Sequence, residues 1–203
     1  YDAGAMRKFW IDLGLTQKDI SVPMSTLNSL NAKAVDAEAP RLSFVSNPRT
    51  VILDITEIEL TKVTLPIHPE HPDKGVREWP LGDNPLKVKI ASDDFTSREA
   101  RRLKDFADIG IHRKKAAGVG GWTGDIIRTD RYGNTPIIHW LPSNMAQPAV
   151  LLLEEEGELV TAEGLLEIND YPDGTVVQLE RMGFAILEGV EENGARRLVR
   201  LHG

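Results

Sequence analysis

The spacing of hydrophobic residues along this chain changes once, near residue 40, from a helical period to a period of two. Met6, Phe9, Trp10 and Leu13 share one helical face, and Gly14 follows where a helix C-terminus favours a left-handed residue, which predicts a short helix over residues 5–13. A second helix starts at Ser21-Val22-Pro23, carries Met24, Leu27, Leu30 or Asn31, and Ala34 at helical spacing, and stops by Pro40. Beyond Pro40, Leu42 and Phe44 alternate, residues 50–56 are apolar and β-branched, Ile58 and Leu60 alternate with Glu57 and Glu59, and residues 86–90 read as a half-buried strand. Further strands are predicted around Ile109 and Ile111, at Ile137-Ile138 and over residues 150–153. Turn formers separate them at Asn47-Pro48, at Gly82-Asp83-Asn84-Pro85, at Tyr132-Gly133-Asn134 and at Pro172-Asp173-Gly174. With no repeat and no helix-strand alternation, the pattern fits antiparallel β-barrels better than a parallel sheet.

One stretch resists that simple alternation. Residues 176–187 carry Gln178, Glu180 and Arg181 inside an otherwise apolar run, and read as the first arm of a hairpin that turns at Asn193-Gly194 and returns over residues 197–201. Gln178 and Glu180 share one face of this arm, while Val177, Leu179 and Arg181 share the other. Phe184 and Ile186 continue the Gln178 parity, so a bulge near Met182-Gly183 is expected to re-aim the side chains and let Gln178 and Arg181 serve one site. On pattern alone the simpler reading is an exposed edge strand with solvated polar groups.

Composition narrows the picture further. At 203 residues and 41% hydrophobic content, the chain suits one large or two small folded domains. The absence of cysteine removes disulfides, thiol nucleophiles and thiolate metal sites, and fits a cytosolic protein. No apolar run approaches the ~20 residues of a membrane span, no signal peptide opens the chain, and Tyr1 in place of an initiator Met suggests a fragment or a processed chain. A net charge of -7 weighs against a nucleic-acid partner. Positive charge nevertheless collects at Arg98, Arg101, Arg102 and Lys104, at Arg113, Lys114 and Lys115, and at Arg196, Arg197 and Arg200, which suggests a basic face on an acidic body.

Several constellations carry less chemistry than their residue types suggest. His68-Pro69-Glu70-His71-Pro72-Asp73 gathers metal-ligand types, but two prolines impose an extended loop and nothing closes a tetrahedral set, so a structured turn is the better reading. The glycine-rich Gly118-Val119-Gly120-Gly121-Trp122-Thr123-Gly124 has neither a P-loop nor a dinucleotide spacing, and reads as a mobile loop; its rival role is a phosphate-contacting loop with a stacking ring. Asp93 and Asp94 read as caps of a helical turn. No Gly-x-Ser-x-Gly elbow is present, and no catalytic set for a β-barrel hydrolase assembles.

Taken together and in order, six pieces resemble the C-terminal anticodon-binding region of archaeal and eukaryotic-type glutamyl- and glutaminyl-tRNA synthetases. They are residues 9–15 with 19–21, residues 39–45 with Asn47-Pro48, residues 68–75, Arg102-Leu103-Lys104-Asp105, residues 137–142, and residues 178–184. The resemblance implies a mainly β fold of two consecutive antiparallel barrels preceded by a short helical segment. Residues 1–40 would form a helical connector from a catalytic core, 41–92 with 160–203 the first barrel, and 93–159 the second.

The resemblance also implies a cytoplasmic, monomeric parent that joins glutamate to tRNA with ATP and Mg, with no cofactor in this chain, no membrane partner, and tRNA for glutamate, and for glutamine as an open alternative, as the ligand. Arg41, Gln178 and Arg181 would approach the anticodon from the first barrel and Arg102 and Lys104 from the second, with Arg113, Lys114 and Lys115 on the tRNA backbone. Arg41 and Gln178 would read a base, against the plainer alternative that Arg41 pairs with Glu180 and Gln178 bonds within the sheet. The chain departs from the glutaminyl enzymes in being shorter between Asp93 and Arg101, and it holds neither ATP-binding signature of the catalytic core. A glutaminyl enzyme and a free-standing all-β interaction module are the competing readings.

Overall fold

The computed structural model describes residues 1–14, 21–95, 100–116, 119–130 and 133–202, with side chains described outside 113–120 and 202. Two helices open the chain. α1 (Ala3–Leu13) is capped by the Asp2 carboxylate, which accepts from the Ala5 N–H at 2.8 Å, and closes on Gly14 at φ 70°. α2 (Met24–Asp36) begins after Pro23 and packs on α1. Both match their predicted positions. Neither they nor any other described helix is long and apolar enough to cross a membrane.

Among the described residues sixteen strands follow: β1 (Arg41–Leu42), β2 (Phe44–Ser46), β3 (Pro48–Leu53), β4 (Lys62–Pro66), β5 (Val76–Pro80), β6 (Leu86–Ala91), β7 (Arg101–Leu103), β8 (Asp108–Ala116), β9 (Val119–Arg128), β10 (Ile137–Ile138), β11 (Trp140–Pro142), β12 (Ala146–Glu155), β13 (Glu158–Glu167), β14 (Val176–Leu179), β15 (Gly183–Val190) and β16 (Arg196–His202). One seven-stranded sheet runs β1-β14-β15-β16-β12-β13-β2, the other β10-β7-β8-β9-β3-β6-β11, and β4 pairs with β5 alone.

The closure of each barrel can be read from its edges. In the first sheet the edge strands β1 and β2 are separated in sequence by Ser43 alone, and in the second the edges β10 and β11 are separated by His139 alone. A single residue spans only ~3.5 Å, so each sheet must curl until its two edges meet. This is the mainly β, two-barrel architecture the sequence reading expected. Pairing is largely antiparallel, but β1–β14, β12–β16, β3–β9 and β7–β10 are parallel.

Strand membership differs from the expected division. Residues 48–53 and 86–91 pair with each other and, through β9 and β11, with the second sheet, while 146–155 joins the first. The chain therefore leaves the first barrel at Ser46, builds the second from Pro48 to Pro142, and returns through Ser143–Met145. Asn47, at φ 42°, makes the crossing. Ile58 and Leu60 are not on a strand. Asp54 accepts from the Thr56 N–H and hydroxyl at 2.9 and 2.6 Å, and the local turn this creates outcompetes the two-residue period.

The polar trio also behaves differently from expectation. The run 176–187 is two strands, reversed by a turn at Glu180-Arg181-Met182 in which the Met182 N–H donates to the Leu179 carbonyl at 3.0 Å and Arg181 sits at φ 70°. A reversal, not a bulge, re-aims the side chains. The Asn193-Gly194 turn joins β15 to β16, as predicted, but β14 lies between β1 and β15 and is no edge strand.

Cores fill both barrels. Trp140 lies edge-on to Trp79 with centroids 5.4 Å apart and stacks on Phe106 at 5.3 Å, so the β4–β5 hairpin shares the second barrel's core. The same hairpin is tied to the first barrel by Glu167. This buried carboxylate accepts from Trp79 Nε1 at 2.7 Å, Arg77 Nε at 2.9 Å and the Ser43 N–H at 3.1 Å, beside the single residue that closes that barrel. Burial pushes the Glu167 pKa above the ordinary carboxylate value, against the lowering effect of Arg77 and Trp79.

Candidate nucleic-acid interface

A cleft of about 720 Å³ opens where β1, the β14–β15 turn and the β7–β11 side of the second barrel meet. Arg41, Gln178, Arg181, Arg102 and Lys104 all line it, although they come from opposite ends of the sequence. Main-chain pairing explains the convergence. β1 runs parallel to β14 with Arg41 in register with Gln178, and the Gln178 and Glu180 N–H groups donate to the Pro40 and Leu42 carbonyls at 2.9 and 3.2 Å.

The five side chains are not equivalent. Arg41 is buried, and its guanidinium donates to Asp36 Oδ1 at 2.9 Å and the Ala39 carbonyl at 3.2 Å, so its ion-pair partner is Asp36 and not Glu180. Behind Asp36 stands the fully buried His68, whose Nε2 meets the Asp36 carbonyl at 3.0 Å and whose Nδ1 accepts from the Glu70 N–H at 3.1 Å. The histidine-proline loop is thus a structured brace for Arg41. Arg102 is committed to three oxygens, Asp108 Oδ1 and the Asp130 and Thr129 carbonyls, at 2.9–3.2 Å. Arg181 is more than half exposed and reaches Asp94 only at 3.3 Å. That contact gives Asp94 a role as an ion-pair acceptor from the neighbouring barrel.

Gln178 stands apart. Its amide, half-buried on the cleft wall, has no hydrogen-bond partner among the described residues. An amide offers both donor and acceptor, the complement of a base edge. Lys104 donates to Glu180 Oε1, and His139 Nδ1 lies 2.8 Å from Glu180 Oε2. Trp140 Nε1 holds the Lys104 carbonyl at 2.9 Å. Sequence reasoning missed His139 as a lining residue, together with Asn134 and the half-exposed Ile137. The first was quoted only as part of a motif, and the turn carrying Asn134 was read only as punctuation.

Electrostatics explain why this cleft is not simply a phosphate trap. Four cations line it beside three carboxylates, Asp105, Asp108 and Glu180. Burial pushes the Glu180 pKa up, but hydrogen bonds from His139 and Lys104 outweigh it and hold the group at about 2. Burial likewise raises Asp108, and Arg128, Arg102 and Thr135 together pull it below the ordinary range. For Glu180 the sign is that of a depressed carboxylate: the stabilisation is full above its ordinary pKa near 4.5 and is lost as pH falls toward 2. The expected contribution is on the order of 3 kcal/mol. Urea unfolding of the wild type and of Glu180→Gln should therefore differ by about this much at neutral pH, with the gap closing below pH ~4; a pH-independent gap would exclude the ion-pair origin.

The glycine-rich segment is not a loop in its described part. Gly120 to Gly124 lie on β9, where a Cβ on Gly124 would stand 2.7 Å from Leu53 Cδ2 and 3.0 Å from the Gly110 carbonyl. Trp122 packs on Phe95 at 4.8 Å. Arg113, Lys114 and Lys115 lie on β8, in register with residues 122, 121 and 120, but their side chains are outside the described residues. Among the described residues no three His, Cys, Asp or Glu side chains are grouped to hold a metal ion.

Residues 39–124, from just before β1 into β9, match the family described as tRNA synthetases class I (E and Q), anti-codon binding domain. Over those residues the chain is similar to that anticodon-binding family. Glutamate-tRNA ligases extend the similarity across nearly all of it: that of Methanosarcina barkeri is 33% identical over 197 residues, covering 94% of this chain and 32% of the relative. Those of Pyrococcus furiosus and Archaeoglobus fulgidus are 29% and 31% identical, covering 93% and 95% of this chain and 33% and 32% of their own. The chain spans about a third of the length of the curated relatives it matches. Within the anticodon-binding family match lie Arg41, Arg102 and Lys104; Gln178, Glu180 and Arg181 lie beyond it, in the part that the longer similarity covers.

Proposed function

We propose that this cleft binds the anticodon of a tRNA for glutamate, and that the parent protein is a cytoplasmic glutamate-tRNA ligase. The observation that carries this reading is the unpartnered Gln178 amide, in register with Arg41, in a cleft whose cations are largely neutralised by carboxylates. Such a surface favours an unstacked base over a phosphate. Arg41, Gln178 and Arg181 would contact one base, and Arg102 and Lys104 its neighbour. Of these, Arg102 would act by fixing Thr129 and Asp130 as well as by contact. Arg113, Lys114 and Lys115 would supply backbone contacts from β8. The ATP that such a ligase consumes, and the Mg that would accompany it, find no fitting site among the described residues, because the sequence has no phosphate-cradling loop and no described carboxylate group is arranged for a metal. The similarity names glutamate ligases, which supports glutamate over glutamine and a synthetase part over a free-standing module.

Binding to a fluorescent anticodon stem-loop tests the proposal. Affinity should fall steeply with salt, with about 0.7–0.9 of log-log slope per phosphate neutralised, and Lys114→Ala with Lys115→Ala should flatten the slope without changing base preference. Affinity that is independent of both salt and loop sequence would contradict the reading.

A further inference from the structure

Glu180 occupies an unusual position in the cleft. It sits on the turn between Gln178 and Arg181, yet its carboxylate is engaged entirely from outside that sheet: by Lys104, after β7, by His139, the residue that closes the second barrel, and more distantly by Arg77 of β5 at 3.9 Å. Its own N–H is fixed to the Leu42 carbonyl, one residue beyond Arg41. One residue thus ties the main chain that carries Arg41 and Gln178 to the side chains of the opposite wall.

Lysine is a compact charge on a flexible stem, and a free one responds to any phosphate in reach. It can discriminate between bases only if its ammonium is held at one point. With Oε1 on Lys104 and Oε2 on His139, Glu180 holds two donors at a set distance from the Gln178 amide. We infer that Glu180 is a positioning residue that fixes Lys104 and His139 relative to Arg41 and Gln178, so that the cleft reads two adjacent unstacked bases as one unit instead of two independent contacts. This rests on the cleft being the base-reading site.

The consequence is a separation of affinity from selectivity. In Glu180→Gln, Lys104 is released toward phosphate. Binding to every stem-loop should be retained or tightened, the salt slope should rise by about 0.7, and the preference for the cognate base at the Lys104 side should fall about tenfold. In Lys104→Met the same preference should be lost, and Glu180→Gln added to it should cost nothing further, because both act through one ammonium.

The experiment is a titration of wild type, Glu180→Gln, Lys104→Met and the double variant against stem-loops substituted singly at each of two neighbouring anticodon bases. His139→Gln, which cuts only one arm of the tie, serves if Glu180→Gln does not fold, and should lower the same preference about threefold. If wild type discriminates and both Glu180→Gln and His139→Gln discriminate equally well, with only the melting temperature lowered, Glu180 is a structural brace and the inference is overturned. Additive losses in the double variant overturn it too. If wild type itself does not discriminate, the base-reading site fails instead, which is a distinguishable result.

Discussion

Gln178→Ala is expected to weaken binding of the cognate anticodon stem-loop by about 1–3 kcal/mol, roughly 5- to 150-fold, while leaving thermal stability unchanged. The separation follows from what the amide touches. Gln178 makes its sheet contacts through the backbone, and its side chain bonds to no described residue, so truncation costs the fold little. Lost is a donor-acceptor pair matched to a base edge, so the loss should shrink against loops in which that base is substituted. Arg41→Ala provides the contrast. It removes a guanidinium already bonded to Asp36 and Ala39 and strands a carboxylate beside the buried His68, and should therefore lower both affinity and stability. Equal losses for all bases in Gln178→Ala would remove it from the reading site.

Glu167→Ala should be the most damaging single change to the fold, costing about 3–5 kcal/mol, a large share of a typical domain's stability. It would leave Arg77, Trp79 Nε1 and the Ser43 N–H without their shared acceptor at the point where the first barrel closes. Glu167→Gln should cost much less, about 1–2 kcal/mol, because it keeps an acceptor oxygen and resembles the protonated acid toward which burial already pushes this group. Denaturant unfolding of the two variants should preserve that ranking. Similar losses in both would mean that charge, and not the hydrogen-bonded junction, holds the barrels together.

Much of this architecture is legible in the sequence where local chemistry and global fold agree. Both helices fell where their spacing and Gly14 put them, residues 86–90 form β6 with alternating burial, and Asn193-Gly194 turns the last hairpin. The failures have identifiable causes. The reversal at residues 180–182 was hidden because the left-handed position is filled by Arg181, a residue type that seldom adopts it. Gly120 to Gly124 looked like a loop because glycine signals freedom, whereas Gly124 is there for close approach to Leu53 and the Gly110 carbonyl. The nesting of one barrel inside the other leaves no local mark at all, since Asn47-Pro48 reads as an ordinary turn.

The candidate site was legible only in part. The polar trio announced that residues 178–181 were not a plain core strand, and Gln178 and Arg181 do share one cleft. Their neighbours do not follow from pattern. Asp36, His68 and Glu180 each look like common turn or surface residues in one dimension, and acquire a purpose only when the barrels bring Arg41, Lys104 and His139 against them.

The central claim is that RNA bases enter the cleft between the two barrels, and photocrosslinking tests it most directly. A stem-loop carrying 4-thiouridine in the anticodon, bound to the chain, irradiated and digested, should yield crosslinked peptides from the cleft walls, residues 133–139 and 178–182. Crosslinks confined to the opening helices or to the acidic β12–β13 tip at Glu155–Glu158 would contradict it.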